Sequence, residues 1–143
     1  MAELTQDSPR QFEADHQPLY NEFVVPDGTT IYAGSLVAVS KTTGLLVKAG
    51  DESAAVFVGI AEGKVVGDGR VRARVLSRGR VVMPVVGVDG NDDLGKPVFA
   101  LNDNDLSLTD GGDNHPIGRV YRHESGTTAV VAFEAEALRS ITV

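Results

Sequence analysis

The side chains that could carry catalysis or bind a metal are few and widely spaced in this chain of 143 residues. The three histidines are His16, His115 and His123, and none stands four residues from another metal-ligating side chain. The chain has no cysteine, so neither a disulfide nor a thiolate metal site can form. The sequence therefore predicts no metal site and no cofactor.

Hydrolytic chemistry has equally little support in the sequence. His123 and Ser125 are close together, but no third group can be placed that would orient the histidine, and no serine stands in a Gly-x-Ser-x-Gly motif. Residues 102–105 resemble part of a calcium loop but lack its glycine and its closing glutamate. Alternating Asn and Asp is also what a tight turn between Leu101 and Leu106 requires. We therefore predict a turn there and a protein that is not an enzyme.

One segment is strongly basic. Residues 64–80 contain Lys64 and five arginines against a single acidic residue, Asp68, although the chain as a whole has a formal net charge of −7. From residue 70 to 75 charged and small apolar residues alternate, which predicts a strand with its arginines on one face. We expect residues 78–80 to turn the chain into a further strand at 81–86. The candidate interface residues of this basic stripe are Arg70, Arg72, Arg74, Arg78 and Arg80.

Two interpretations of the basic stripe remain open from the sequence. It is either a solvated outer strand face or a surface that pairs with carboxylates, because like charges on one face repel each other. Those carboxylates could come from acidic turns of this chain, from a neighbouring subunit or from a separate acidic partner. Arginine suits such an interface because its guanidinium can bind a carboxylate with two hydrogen bonds.

The bulk composition restricts the class of protein. The length fits one domain with a sizeable core, and 42% hydrophobic residues with only 6% aromatics favour valine-rich strands and glycine-rich turns. No apolar stretch approaches the ~18 residues of a membrane span, and the N-terminus lacks a signal-peptide pattern. The acidic balance argues against broad nucleic-acid binding. We therefore expect a soluble protein with neither nucleic acid nor membrane as a partner.

A stretch of the chain occurs twice. Residues 34–50 match residues 95–111 at an offset of 61, and residues 58–61 match 117–120 at an offset near 59. Three pairs that keep the first register are Val37 and Val98, Leu45 and Leu106, and Gly50 and Gly111. A single duplication is too short for a solenoid. It predicts a compact all-β domain, mainly antiparallel and barrel- or sandwich-like, that is built from two pseudo-repeated halves.

The predicted domain spans residues 19–143, with pseudo-repeats at about 31–86 and 92–136. Within it we expect Gly59 at a bulge or close approach in a buried strand. Asp92 or Asp93 is expected to cap a single helical turn between the halves.

Residues 1–18 are polar, contain two prolines and show no periodicity, which predicts an extended N-terminal arm. The arm is either a disordered terminus or a segment that folds onto a partner by adding hydrogen bonds at a sheet edge. The residues in it that could make specific contacts are Asp7, Ser8, Pro9, Arg10 and Phe12.

Taken in order, the motifs of this chain resemble the capsid cement (head decoration) proteins of tailed bacteriophages. The order and spacing of the motifs carry the resemblance, which covers nearly the whole chain. The motifs are Asp-Ser-Pro-Arg at 7–10, Ile-Tyr-Ala-Gly-Ser-Leu-Val-Ala-Val at 31–39, Val-Gly-Ile-Ala-Glu at 58–62, an Arg-Val-Arg strand ending in Arg-Gly at 70–79, and Leu-Gly-Lys-Pro-Val-Phe at 94–99.

The resemblance implies a non-enzymatic virion protein that binds the outer face of an assembled, expanded capsid and cements neighbouring major capsid protein subunits. It implies a homo-oligomer, a trimer with a dimer as the alternative, located on the outer capsid surface and in the host cytoplasm during assembly. It also implies that the arm, with Asp7, Ser8, Pro9, Arg10 and Phe12, binds the capsid. Known members vary from tulip-like β-domains to jelly rolls, so the resemblance leaves the topology open.

Two other classes remain as alternatives. One is a non-enzymatic β-module that binds carbohydrate or another protein through an exposed face. The other is a small enzyme, which would need a pocket that gathers His115 or His123 with acidic groups.

Overall fold

The computed structural model describes residues 2–13, 19–51, 53–110 and 116–138. His16, His115, Gly111 and the last residues of the predicted arm, 14–18, lie outside the described residues. Within the described ranges the chain forms strands joined by short turns, with 3-10 helices at Asn91–Asp93 and Glu136–Leu138. The strands are β1 (Gln11–Glu13), β2 (Leu19–Val24), β3 (Thr30–Ile31), β4 (Leu36–Ser40), β5 (Leu46–Lys48), β6 (Ala54–Ala61), β7 (Val65–Val66), β8 (Arg72–Val86), β9 (Pro97–Ala100), β10 (Leu106–Ser107), β11 (Pro116–Ser125) and β12 (Thr128–Glu134).

Five strands close into a barrel. Antiparallel pairing runs from β8 through β12, β11 and β9 to β10. β10 then pairs in parallel with β8, with Leu106 opposite Val85, and this pairing closes the circle. Closure leaves no unpaired strand edge around the barrel. The prediction of a compact, mainly antiparallel all-β domain is confirmed, and the barrel is the architecture adopted.

The first half of the chain extends the same sheet beyond the barrel. β4 pairs with β5 and β6, and β6 joins β8 where Ile60 lies opposite Leu76 and Ala61 opposite Val75. The larger cluster of buried apolar side chains contains Val81, Met83 and Phe133 of the barrel together with residues of the first half. The two halves therefore share this cluster, and a second, smaller cluster lies within the first half.

The duplication seen in the sequence is present in the strand pairing. The pairs β4–β5, β4–β6 and β6–β8 correspond to β9–β10, β9–β11 and β11–β12, and all six are antiparallel. Val37 lies opposite Gly59 in the first half, and Val98 lies opposite Gly118 in the second.

The turns that precede the matching strands are also equivalent. The Gly34 N–H donates to the carbonyl of Ala61, and the Gly95 N–H donates to the carbonyl of Val120, both at 2.9 Å. In the second half β10 pairs with β8 and closes the barrel, whereas the equivalent strand of the first half, β5, pairs only with β4 among the described residues. The halves therefore match in local pairing, but only the second half belongs to the closed barrel.

β8 is one continuous strand, so the predicted turn at residues 78–80 is wrong. β12 pairs with β8 from Pro84 to Arg78 without interruption, and burial alternates along the whole of β8. Gly79 continues this alternation on the buried side, where an added Cβ would lie 3.5 Å from the ring of Phe133. The glycine makes room for a packed aromatic ring and does not mark a turn.

Gly59 has a φ of 138° and lies beside a register shift between β4 and β6, which confirms the predicted bulge. A 3-10 helix forms at Asn91–Asp93, but Gly90 occupies its N-cap position and no side chain caps it, so the predicted cap by Asp92 or Asp93 is wrong. The Asp93 carboxylate is buried and bonded elsewhere, as described below.

The predicted turn at residues 102–105 is confirmed. The side-chain oxygen of Asn102 accepts hydrogen bonds from the N–H groups of Asn104 and Asp105, both at 2.8 Å. This is the Asx-type bonding that favours Asn in tight turns.

Candidate interface formed by the arm and the arginine face

The basic stripe lies where β8 presents its unburied side. Arg72 and Arg74 are exposed and Arg78 and Arg80 are half-buried, while the odd-numbered residues between them are buried. Arg70 is exposed in the loop before the strand. The predicted strand is confirmed from Arg72 onward, where exposed Arg72 and Arg74 alternate with buried Ala73 and Val75, whereas Arg70 lies before the strand. We call the surface formed by these five side chains the arginine face.

Two of the five arginines are neutralised by this chain's own side chains. Arg74 lies 3.2 Å from the Glu62 carboxylate and 4.0 Å from the centre of the Tyr20 ring. Arg80 donates to the Tyr121 hydroxyl at 3.0 Å and lies 3.9 Å from the Glu13 carboxylate. The aromatic faces add a cation–π attraction to these ion pairs.

The other three arginines differ in this respect. Within the ranges that the structure describes, Arg70, Arg72 and Arg78 take part in no ion pair. The backbone N–H of Arg70 is held by Asp68, which accepts at 2.8 Å, but this bond does not use the guanidinium. Bonding to the backbone N–H groups of Val71 and then Arg70 lowers the pKa of Asp68. The arginine face therefore carries unpaired positive charge on an acidic protein.

The described part of the arm, residues 2–13, lies along the domain to which it belongs. The Asp7 carboxylate accepts from the N–H of Ala33 at 2.9 Å, and the Ser8 N–H donates to the carbonyl of Ala33 at 2.8 Å. Arg10 donates from Nε to the carbonyl of Gly34 at 2.9 Å and from Nη2 to the side chain of Asn104 at 3.0 Å. The sequence did not predict these intramolecular contacts.

The end of the arm joins the sheet as β1. β1 pairs antiparallel with β8, with Phe12 opposite Val81. The Phe12 ring lies 6.3 Å from the ring of Phe133 at an angle of 54°, yet 41% of the residue remains exposed. The next residue, Glu13, accepts from Arg122 of β11 at 2.6 Å. The hydrogen bonds that Arg122 donates to Glu124 and then to Glu13 raise the pKa of Arg122.

A buried carboxylate anchors the beginning of the arm. Asp103 is fully buried, accepts from the N–H of Leu4 at 3.0 Å and accepts from the Ser35 hydroxyl at 3.3 Å. Burial raises the pKa of Asp103, although the Leu4 N–H and the charge of Lys48 act in the opposite direction. Burial likewise lowers the pKa of Arg10, against the attraction of Asp103 and Asp105. Sequence reasoning missed this role, and the only signal for it is the single leucine in a polar arm.

A cleft of about 340 Å³ is lined by the arm and by the middle of β8. Phe12, Ile60 and Leu76 supply apolar wall, and Pro9 of the predicted arm set lies at its edge. The guanidinium-bearing residues Arg10, Arg78 and Arg80 also line it. The structure thus brings the arm residues and the arginine strand, which are about 70 residues apart in sequence, to one place.

A cluster of three carboxylates that could in principle bind a metal ion is bonded to this chain's own groups. The carboxylates of Asp89, Asp92 and Asp93 lie within 4.8 Å of one another. However, Asp93 accepts from Lys96 Nζ at 2.6 Å and from the N–H of Asp89 at 3.0 Å, so its two oxygens are occupied. The Lys96 bond is the main reason that the pKa of Asp93 is lowered to about 2. This cluster fixes the connector between the halves.

His123, the histidine within the described ranges, donates from Nε2 to the carbonyl of Gly126 at 2.9 Å. In the part of the chain that the structure describes, no hydrogen bond joins His123 to Ser125. The pair suggested by their spacing in sequence is therefore not assembled for proton transfer.

No protein-family model matches this chain, and no match is found among curated proteins. Among the described residues, no helix has the length and apolar character needed to cross a membrane.

Proposed function

We propose that this protein is a structural virion protein that binds the outside of an assembled phage capsid and cements neighbouring major capsid protein subunits. The ordered set of motifs supports the class of protein. The observation that carries the proposal is that the arm and the arginine strand form one continuous surface. The pairing of β1 with β8 puts Glu13 opposite Arg80, and Phe12 lines the same cleft as Arg78 and Arg80.

The composition of this surface suits protein binding. Exposed Tyr20 and Tyr121 lie against Arg74 and Arg80, and exposed Phe12 lines the cleft with Arg78. Aromatic residues and arginine are the types that dominate binding energy at protein interfaces. Arg70 and Arg72, which form no ion pair with the described residues, could form bidentate pairs with carboxylates of a partner. The matching partner surface would be acidic and partly apolar.

The docked arm lowers the entropic cost of such binding. Ordering a free backbone costs roughly 1–2 kcal/mol per residue, and this cost would oppose binding if the arm became ordered only on the capsid. Residues 2–13 already lie on the domain, so the surface is largely formed before a partner arrives. On a capsid, many equivalent sites then add avidity to a modest single contact.

By resemblance we also propose self-association, with a trimer preferred over a dimer. Multi-angle light scattering at low and high salt measures this directly. If the protein stays monomeric at all concentrations, it does not self-associate in solution, and copies would be brought together only on the capsid lattice.

Co-sedimentation with expanded heads that lack this protein tests the proposed function. We expect the intact protein to pellet with the heads and Arg72→Glu to pellet much less. Lys41→Glu is the matched control, since it makes the same change of charge at an exposed position in the hairpin loop after β4.

Absence of the intact protein from the pellet would refute the proposal. A clear hit on a glycan array in the absence of head binding would favour the carbohydrate-binding module instead. Equal loss of binding in both variants would show that general charge, rather than the arginine face, governs binding.

A further inference from the structure

The cleft between the arm and β8 combines apolar walls with arginines, one of which forms no side-chain hydrogen bond or ion pair with any residue that the structure describes. Phe12, Ile60 and Leu76 contribute apolar surface. Of the charged residues around the cleft, Glu62 pairs with Arg74 and Glu13 pairs with Arg122, so both acids already have a cationic partner. Arg10 is held by the carbonyl of Gly34 and by Asn104.

Arg78 is the exception. It is half-buried in the wall of the cleft, and its side chain forms no hydrogen bond or ion pair with the described residues. Partial burial removes water from a guanidinium, and a carboxylate is the group that best replaces that water because it can accept two hydrogen bonds at once. The chemistry of the cleft therefore points to an anion that is attached to an apolar group.

The size of the cleft limits what can enter it. A volume of about 340 Å³ is at the low end of the range for small-molecule sites. It fits one or two side chains better than a whole extended ligand. Leu19 lies opposite Arg78 in the sheet and is 42% exposed, as is Tyr20. Leu19, Tyr20 and Phe12 therefore offer further apolar contact to a bound polypeptide that extends beyond the cleft.

We propose that the cleft binds a glutamate or aspartate side chain of a partner protein, with an aliphatic residue next to it in the partner's sequence. The carboxylate pairs with the Arg78 guanidinium, and the aliphatic side chain packs on Phe12 and Leu76. The identity of the partner as a capsid protein rests on the proposed function, but the ligand chemistry does not.

Titration of the full-length, isotopically labelled protein with a short peptide tests this inference. The probe is N-acetyl-Leu-Glu-Leu-amide, and its neutral counterpart is N-acetyl-Leu-Gln-Leu-amide. We expect the acidic peptide to shift the amide resonances of Leu76 and Gly79 and to bind about tenfold more tightly than the neutral peptide, as one charge-assisted pair would give.

Variants of the protein locate the preference. Arg78→Gln should bind the two peptides equally, and Arg78→Lys should keep part of the preference because it retains the charge. Arg72→Gln is the matched control, since Arg72 belongs to the same strand but lies outside the cleft, and it should keep the full preference. An unchanged thermal midpoint of Arg78→Lys shows that the fold is intact.

Equal binding of both peptides to the intact protein would overturn the inference, as would an absence of shifts at millimolar peptide. Octanoate that binds at the same residues more tightly than the acidic peptide would also overturn it, in favour of a free carboxylic acid. If heads bind the intact protein but the peptides are not distinguished, the inference fails and the proposed function stands. If the acidic peptide is preferred but heads do not bind, the proposed function fails and the ligand chemistry stands.

Discussion

Replacing Gly34 by alanine should detach the arm, whereas replacing Gly95, its counterpart in the second half, should not. Both glycines have positive φ, 86° and 83°. A Cβ on Gly34 would overlap the backbone carbonyl of Ser8 in the arm, and a Cβ on Gly95 would meet nothing within 4 Å. The two substitutions therefore share the backbone strain and differ only in the contact with the arm.

The expected magnitudes decide which measurement is informative. Alanine at a left-handed φ costs roughly 1–2 kcal/mol in either variant. The three hydrogen bonds that hold the arm against Ala33 and Gly34 contribute about 0.5–1.5 kcal/mol each. Ordering of the arm costs about 1 kcal/mol or more per residue. Summed over the arm, this cost is of the same order as the free energy that all the contacts of the arm contribute together. Release of the arm should therefore change the free energy of unfolding only modestly.

Amide hydrogen exchange is the sensitive assay because it reports the arm alone. The N–H groups of Leu4 and Ser8 are hydrogen-bonded to Asp103 and to Ala33. Both should lose protection in Gly34→Ala and keep it in Gly95→Ala, while urea unfolding shows similar losses of stability in the two variants. Retained protection of Leu4 and Ser8 in Gly34→Ala would refute the reasoning, as would equal loss of protection in both.

Three further outcomes follow from single contacts. Burial raises the pKa of Asp103 above its ordinary 3.8, so the native protein should gain stability relative to Asp103→Asn as the pH falls through the raised pKa. If the difference in free energy of unfolding between the two proteins, measured in urea, stays constant from about pH 7 to about pH 4, this prediction is contradicted. Lys96→Met should raise the pKa of Asp93 from about 2 towards 3.8. The stability that ionised Asp93 contributes would then be lost at a higher pH as the solution is acidified. An NMR titration that shows no change in this pKa would be inconsistent with the ion pair. Gly118→Ala should lower the free energy of unfolding by about 1–3 kcal/mol, since its Cβ would overlap a carbonyl of β12, whereas Gly63→Ala, with open space around it, should change stability by less than about 0.5 kcal/mol; equal thermal midpoints would contradict the close approach.

The fold class and the duplication were accessible from the sequence because both depend on local pattern. Alternation of apolar and polar residues predicts strands, and residues that occupy equivalent positions in two halves keep the same spacing. The paired positions of Val37 with Gly59 and Val98 with Gly118 show that this spacing reflects equivalent ladders. Glycine is needed at position 118 because the neighbouring strand approaches too closely for a side chain.

The continuity of β8 was not accessible in the same way. Arg-Gly-Arg at residues 78–80 has the composition of a turn, and local propensity alone favours a break. Pairing with β12 on one side and packing of the Phe133 ring over Gly79 outweigh that preference. Tertiary contacts of this kind commonly override local propensity in strands.

The sequence by itself determined the alternating strands, the repeated half, the exposure of Arg72 and Arg74 on β8 and the turn at residues 102–105, because each depends on residues close together in the chain. The tertiary structure alone decided the closure of the barrel and the neighbours of each charge. Glu13 meets Arg122 across 109 residues, and the Leu4 N–H meets Asp103 across 99. Contacts over such separations depend on how the strands are ordered in the sheet, and no local pattern specifies that order.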